Sequence, residues 1–224
     1  MQTHITTTPF GRRSLTLAHV ASQASAKTRA PEKAVHKWNI FRAICTAKNA
    51  LGIPERALAV LDALLSFHPE TVLTGEGLVV FPSNHQLGLR AHGMPMATLR
   101  RHLAALVDAG LIVRRDSPNG KRYARRGEGG QVTQAFGFDL TPLALRAGEF
   151  AALADAVRAE TLAQRIAREK VTLLRRDCAK LLDALDAGEA NEPGVDSQPG
   201  GLRQQYLALV STYPRRPEPA AVSS

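Results

Sequence analysis

SNHQLGLRAHGMPMATLRRHLAALVDAGLIVRRDSPNGKRYARR, residues 83–126, reads as two short helices joined by a tight turn and followed by a basic β-hairpin. Ser83 or Asn84 suits the cap of the first helix, which carries Leu87 and Leu89 and ends near His92 and Gly93. Pro95 falls at the first turn of the second. At about 100° per residue, Leu99, Leu103, Leu106 and Gly110 share one face of that helix, with Met96 and Val107 at its edge. Ala97, Thr98, Arg101, Ala104 and Ala105 point away from the core. Leu111 to Arg115 begins a strand, Asn119-Gly120 is a strong hairpin signal, and Lys121 to Arg126 returns antiparallel with Tyr123 turned inward.

Small alanines beside a long arginine allow close approach to a surface, and Arg101 can fork onto a guanine edge or a phosphate. An ordinary solvated helix face fits the same residues. The basic hairpin has its own bland reading, an edge strand protected by charge. Their succession favours nucleic-acid contact. The order of parts is that of a winged helix-turn-helix, within a fold that is mainly α with a small β-hairpin or sheet.

Outward from this stretch, residues 1–31 are polar and basic without sustained periodicity and read as a flexible arm, in which Arg12 and Arg13 follow Pro9-Phe10-Gly11. From Glu32 to about Asn49, Trp38, Phe41, Ile44 and Cys45 recur at helical spacing, while Lys33, Lys37, Arg42 and Lys48 take the other positions. A core helix follows Pro54 and stops before Pro69, with Leu58, Leu61, Leu64 and Leu65 inward. Leu78 to Phe81 suits a short strand paired with the later hairpin, and Gln131 to Leu140 is a further β-prone run. The expected DNA-binding domain therefore spans 32–140.

Thr141 and Pro142 offer an N-cap and first-turn proline for a long helical region, 141–187, with Gly148 a break or kink near its start. Its apolar stripe drifts, so a regular coiled coil is not assured, and self-association through 150–187 stands beside intramolecular packing. Residues 188–201 form a linker, and 202–224 a short helix with a Pro-rich tail.

Charge sharpens this picture. Against a net +9, residues 1–53 hold 8 basic and 1 acidic side chain and residues 82–127 hold 9 and 2, whereas residues 128–190 hold 8 and 10. The positive excess thus sits in the arm and the opening stretch, as an anionic partner requires. Cys45 and Cys178 have no pair spacing, no apolar run approaches the roughly 18 residues of a membrane span, and a reducing cytoplasm fits. No phosphate-cradling glycine loop, HExxH or clustered acidic set appears, so no catalytic residue, metal or cofactor is expected.

Four runs carry a family resemblance: TTTPFGRRSLTLAHVASQ at 6–23, KWNIFRAICTAKNALGI at 37–53, FPSNHQLGLRAHGMPMATLRRHLAALVDAGLIVRRDSPNGKRYARR at 81–126 and AFGFDLTPL at 135–143. Together they resemble replication protein C, the initiator of repABC-type plasmids of alphaproteobacteria. The resemblance covers about 1–185. It implies a winged-helix initiator that binds its plasmid's origin, with host replication proteins as further partners. Family members continue into a further C-terminal region, so a chain ending YPRRPEPAAVSS looks like an N-terminal portion or a shortened member.

The expected partner is double-stranded DNA at the plasmid origin, read in the major groove by Ala97, Thr98, Arg100 and Arg101. Arg114, Lys121, Arg122, Arg125 and Arg126 on the hairpin and Arg12 and Arg13 on the arm grip backbone or minor groove. A transcriptional repressor on the same fold and a helical assembly adaptor are the alternatives.

Overall fold

The computed structural model describes residues 34–75, 77–128, 132–189 and 199–212. The expected arm with Arg12 and Arg13, most of the linker and the Pro-rich tail lie outside them. The chain divides into two compact units, one through Ala159 and one from Glu160. It is mainly helical with small antiparallel sheets. Among the described residues no helix is long and apolar enough to cross a membrane.

Among the described residues of the first unit, β1 (Val35–His36) comes first, antiparallel to β2 (Val72–Leu73). Between them run α1 (Lys37–Thr46) and α2 (Glu55–Phe67). α1 begins at Lys37 rather than Glu32, because Val35 and His36 are drawn into strand pairing. Lys37 also departs from the expected polar face: it is buried and donates through Nζ to the His68 carbonyl at 2.6 Å. Desolvation holds its pKa below the ordinary value, partly offset by Glu70.

α2 is buried along almost its whole length and packs against α1, α3 (Asn84–Arg90) and α4 (Met96–Asp108). Leu87, Leu99, Leu103 and Leu106 close on it, joined by Leu111, Phe138, Leu140, Leu143 and Phe150 in one core. Each such side chain contributes about 1.5–3 kcal/mol on burial, so α2 is the post on which the other helices hang.

The sheet corrects the expected hairpin. β4 (Val113–Arg115) and β5 (Tyr123–Arg126) do not pair with each other; both run antiparallel to β6 (Val132–Asp139), as does β3 (Val79–Val80). Direct pairing of β4 with β5 would face Arg114 and Arg115 with Arg122, Arg125 and Arg126, and like charges directly opposite are destabilising. β6 has no basic residue and eight positions to offer. Asn119-Gly120 still turns the chain, since Gly120 has φ 69° and donates to the Ser117 carbonyl at 3.0 Å. That turn shapes a loop between two strands of one partner.

Two further expectations shift. Thr141 is the first residue of α5 (Thr141–Leu145) rather than its cap. Gly148 causes no break, for α6 (Ala147–Glu189) runs through it, and the interruption falls at Arg146. α7 (Pro199–Thr212) lies in the second unit.

Two buried histidines give the first unit a pH dependence. His102 on α4 has no hydrogen-bond partner at either ring nitrogen among the described residues, and burial, then Arg101 and Arg56, push its pKa below 6.5. Burial and Lys37 do the same for His68, against Glu70 and the Val72 backbone. Folding therefore disfavours the protonated form of both, whereas the unfolded chain takes up protons near the ordinary 6.5. The stability is therefore present above about 6.5 and lost as pH falls below it. Thermal melts should be level above neutrality and decline on acidification, and His102→Leu should flatten part of that decline.

Candidate nucleic-acid interface

Ser83 opens this stretch with a complete capping box. Its hydroxyl accepts from the Gln86 N–H at 3.2 Å, and Gln86 Oε1 accepts from the Ser83 N–H at 3.3 Å. α3 then ends in a turn with His92 at φ 58° and Gly93 at φ 70°. The turn stays tight because Gly88 has no side chain: a Cβ there would meet the Met94 carbonyl oxygen at 3.0 Å. This delivers α4 with Pro95 at its N-cap.

On α4, Ala97, Arg100 and Arg101 are exposed and Thr98 is half-buried. Ala104, expected to point outward, is buried, and Ala105 is half-buried. A wheel assumes one inner face along the whole helix, but here the covered arc widens toward the C-terminus, where His102, Leu103, Ala104 and Leu106 are all enclosed. Asp108 lies on the same line as Arg101 two turns later, so the cationic surface belongs to the N-terminal half of α4.

The basic side chains of the loop and β5 fall into two groups. Lys121, Arg125 and Arg126 are exposed. The Arg125 guanidinium lies 6.0 Å from the rings of both Tyr123 and Phe136, which are 5.1 Å apart. Arg114 instead pairs with Asp116.

Arg122 departs furthest from the expected outward grip. Its Nη1 donates to the Pro82 carbonyl at 3.0 Å and to Asn84 Oδ1 at 2.8 Å, and its guanidinium covers the Phe138 ring at 4.4 Å. Burial, then Arg114, lower its pKa to about 10, with Asp116 opposing. It ties the loop to the start of α3. Arg122→Ala should therefore cost about 1.5–3 kcal/mol of stability, read as a lower melting temperature, while Arg125→Ala should leave the melt within about 0.5 kcal/mol.

A family model for the replication protein C N-terminal domain matches residues 13–186, from the arm through almost all of α6. The chain belongs to the replication protein C family. A provisionally named replication protein C of Sinorhizobium fredii is 54% identical over 224 residues, covering 100% of this chain and 54% of its own. One of Rhizobium rhizogenes, also provisionally named, is 52% identical over 225 residues, again covering 100% and 54%. The chain thus spans about half the length of the curated relatives it matches. No solved structure matches it.

Three residues of this replication protein C domain position the surface and were not singled out from the sequence. Asp139, buried at the end of β6, accepts from Arg115 Nε at 2.8 Å and Nη2 at 2.6 Å, and its other oxygen accepts the Thr141 N–H at 2.9 Å. That carboxylate locks β4, β6 and α5 together. Arg146 donates through Nη1 to the Ala109 and Gly110 carbonyls at 3.2 and 3.0 Å, a cation at the C-terminal end of α4. Its Nε and Nη2 hold Glu149, which raises the pKa of Arg146 and lowers that of Glu149. The only cue in the sequence was the Asp-x-Thr-Pro run at 139–142, an acid two residues before a helix-starting threonine.

Proposed function

We propose that the chain is a sequence-specific double-stranded DNA-binding module that recognises a plasmid origin and serves replication initiation, without catalysis of its own. The observation that carries this reading is the joint exposure of Arg100 and Arg101 beside the small Ala97 on α4, with Lys121, Arg125 and Arg126 on the following loop and strand. Membership of the replication protein C family supports the setting. The arrangement is read as a winged helix-turn-helix: α4 enters the major groove by its N-terminal half, and the basic loop and β5 take phosphate or the adjacent minor groove.

Footprinting across plasmid DNA that carries both the gene and its replication origin tests the assignment. Protection at the origin is expected, and protection confined to promoters would replace the initiator reading with a repressor. Arg101→Ala separates base reading from backbone contact: it should cost about 1–3 kcal/mol on the preferred site and much less on random duplex. Equal losses on both would make Arg101 a phosphate contact.

A further inference from the structure

In the second unit α7 is bonded to α6 between Arg175 and Asp186. Tyr206 donates its hydroxyl to the Arg175 carbonyl at 2.7 Å, Arg175 donates to the Val210 carbonyl at 2.9 Å, and Arg203 bridges Asp183 and Asp186. These contacts occupy the side of α6 on which Arg175, Ala179, Leu182 and Asp186 are half-buried. Away from α7, Leu162, Ile166, Leu173, Leu174, Leu181 and Leu185 remain between 43% and 64% exposed.

Their positions are mirror-related about the midpoint between Leu173 and Leu174. Leu162 precedes that point by as much as Leu185 follows it, and Ile166 and Leu181 match in the same way. So do Lys170 and Asp177, which carry opposite charges. At about 100° per residue the six apolar side chains lie within about 70° of one direction, and Lys170 and Asp177 lie within about 10° of it. Of the large exposed apolar residues on this helix segment, Val171 stands outside the scheme. The drift of the stripe around α6 is thus symmetric rather than irregular.

Such symmetry has a specific use. In an isologous antiparallel pair, each residue stands level with its mirror position on the other copy, so the same patch must be self-complementary under reversal. A parallel pair would instead set Lys170 against Lys170 and Asp177 against Asp177. Packing onto an unrelated surface gives no reason for mirror spacing.

We propose that a second copy of this chain docks antiparallel along residues 162–185 of α6. Leu173 and Leu174 meet at the two-fold axis. Lys170 faces the partner's Asp177 on each side of it, and Leu162 and Ile166 stand level with the partner's Leu185 and the partner's Leu181. The charge pairs fix direction and register, and the leucines supply the buried area.

Sedimentation of the 224-residue chain without DNA tests this independently of any DNA-binding role. A concentration-dependent dimer is expected. Lys170→Asp and Asp177→Lys should each weaken it by roughly tenfold through repulsion at both symmetric pairs, and the double swap should restore it. All these side chains are exposed, so circular dichroism should show unchanged folding. For orientation, Cys178 is first replaced by serine; Lys170→Cys combined with Asp177→Cys should then cross-link the dimer, while neither single variant does. A monomer at every concentration, a dimer indifferent to the charge swaps, or self-cross-linking of either single cysteine variant would overturn the proposal.

Discussion

Raising salt from about 50 to about 200 mM should weaken duplex DNA binding by this chain by roughly 500-fold, for about five phosphate contacts at a slope near −0.9 each. The five cations counted are Arg100, Arg101, Lys121, Arg125 and Arg126, all exposed. Arg114, Arg115 and Arg122 do not contribute, because carboxylates or backbone oxygens hold them within the protein. The measurement is a titration of affinity against the logarithm of salt concentration. Replacing Lys121, Arg125 and Arg126 together by alanine should flatten the slope by about 3 and weaken preferred and random duplexes alike. Arg12 and Arg13 steepen the slope of the parent chain if the arm engages DNA, without altering the difference made by the triple variant. A salt-independent affinity would argue that the exposed cations are solvation alone.

What the sequence showed of this surface, and what it hid, follows from the range of the interactions. Ser83, Pro95, Gly110 and Gly120 act on their immediate neighbours, so the helix limits and turns they govern were legible in the chain itself. The inner face of α4 was legible for Leu99, Leu103 and Leu106, which recur with the helical period, and failed at Ala104, whose burial depends on what covers the end of the helix. Strand partnership was the larger miss. Asn119-Gly120 marks a turn, but whether the strands flanking it pair depends on a competitor that begins twelve residues further on, in β6. Arginine roles were least legible of all. Arg122 and Arg125 are three residues apart on one basic run, yet one is fixed by Pro82 and Asn84 across forty residues of chain and the other remains exposed.

Gly137→Ala should destabilise the first unit by at least about 3 kcal/mol, lowering the melting temperature by roughly 6–12 °C. The strand glycine has an ordinary backbone conformation, so conformational freedom is not its purpose. A Cβ at this position would run into the Val80 carbonyl oxygen, and it would lie 3.0 Å from both Phe81 Cα and the Val80 carbonyl carbon. All three obstacles are backbone, which no rotamer change can clear. β3 would have to leave β6, breaking the Val80–Phe138 register and the bond from the Leu140 N–H to the Leu78 carbonyl, 2.8 Å in the native fold. The sign makes the test sharp. A glycine in open extended backbone gains about 0.4–1 kcal/mol on changing to alanine, because the unfolded chain loses freedom. Gly148 supplies the control: it is exposed in the first turn of α6, a Cβ there meets nothing within 4 Å, and Gly148→Ala should stabilise by up to about 1 kcal/mol. Because Pro82 and Asn84, which follow β3, are the acceptors for Arg122, displacement of β3 by Gly137→Ala should also release the basic loop. Loss of DNA affinity should therefore accompany loss of stability, even though Gly137 is buried and carries no charge.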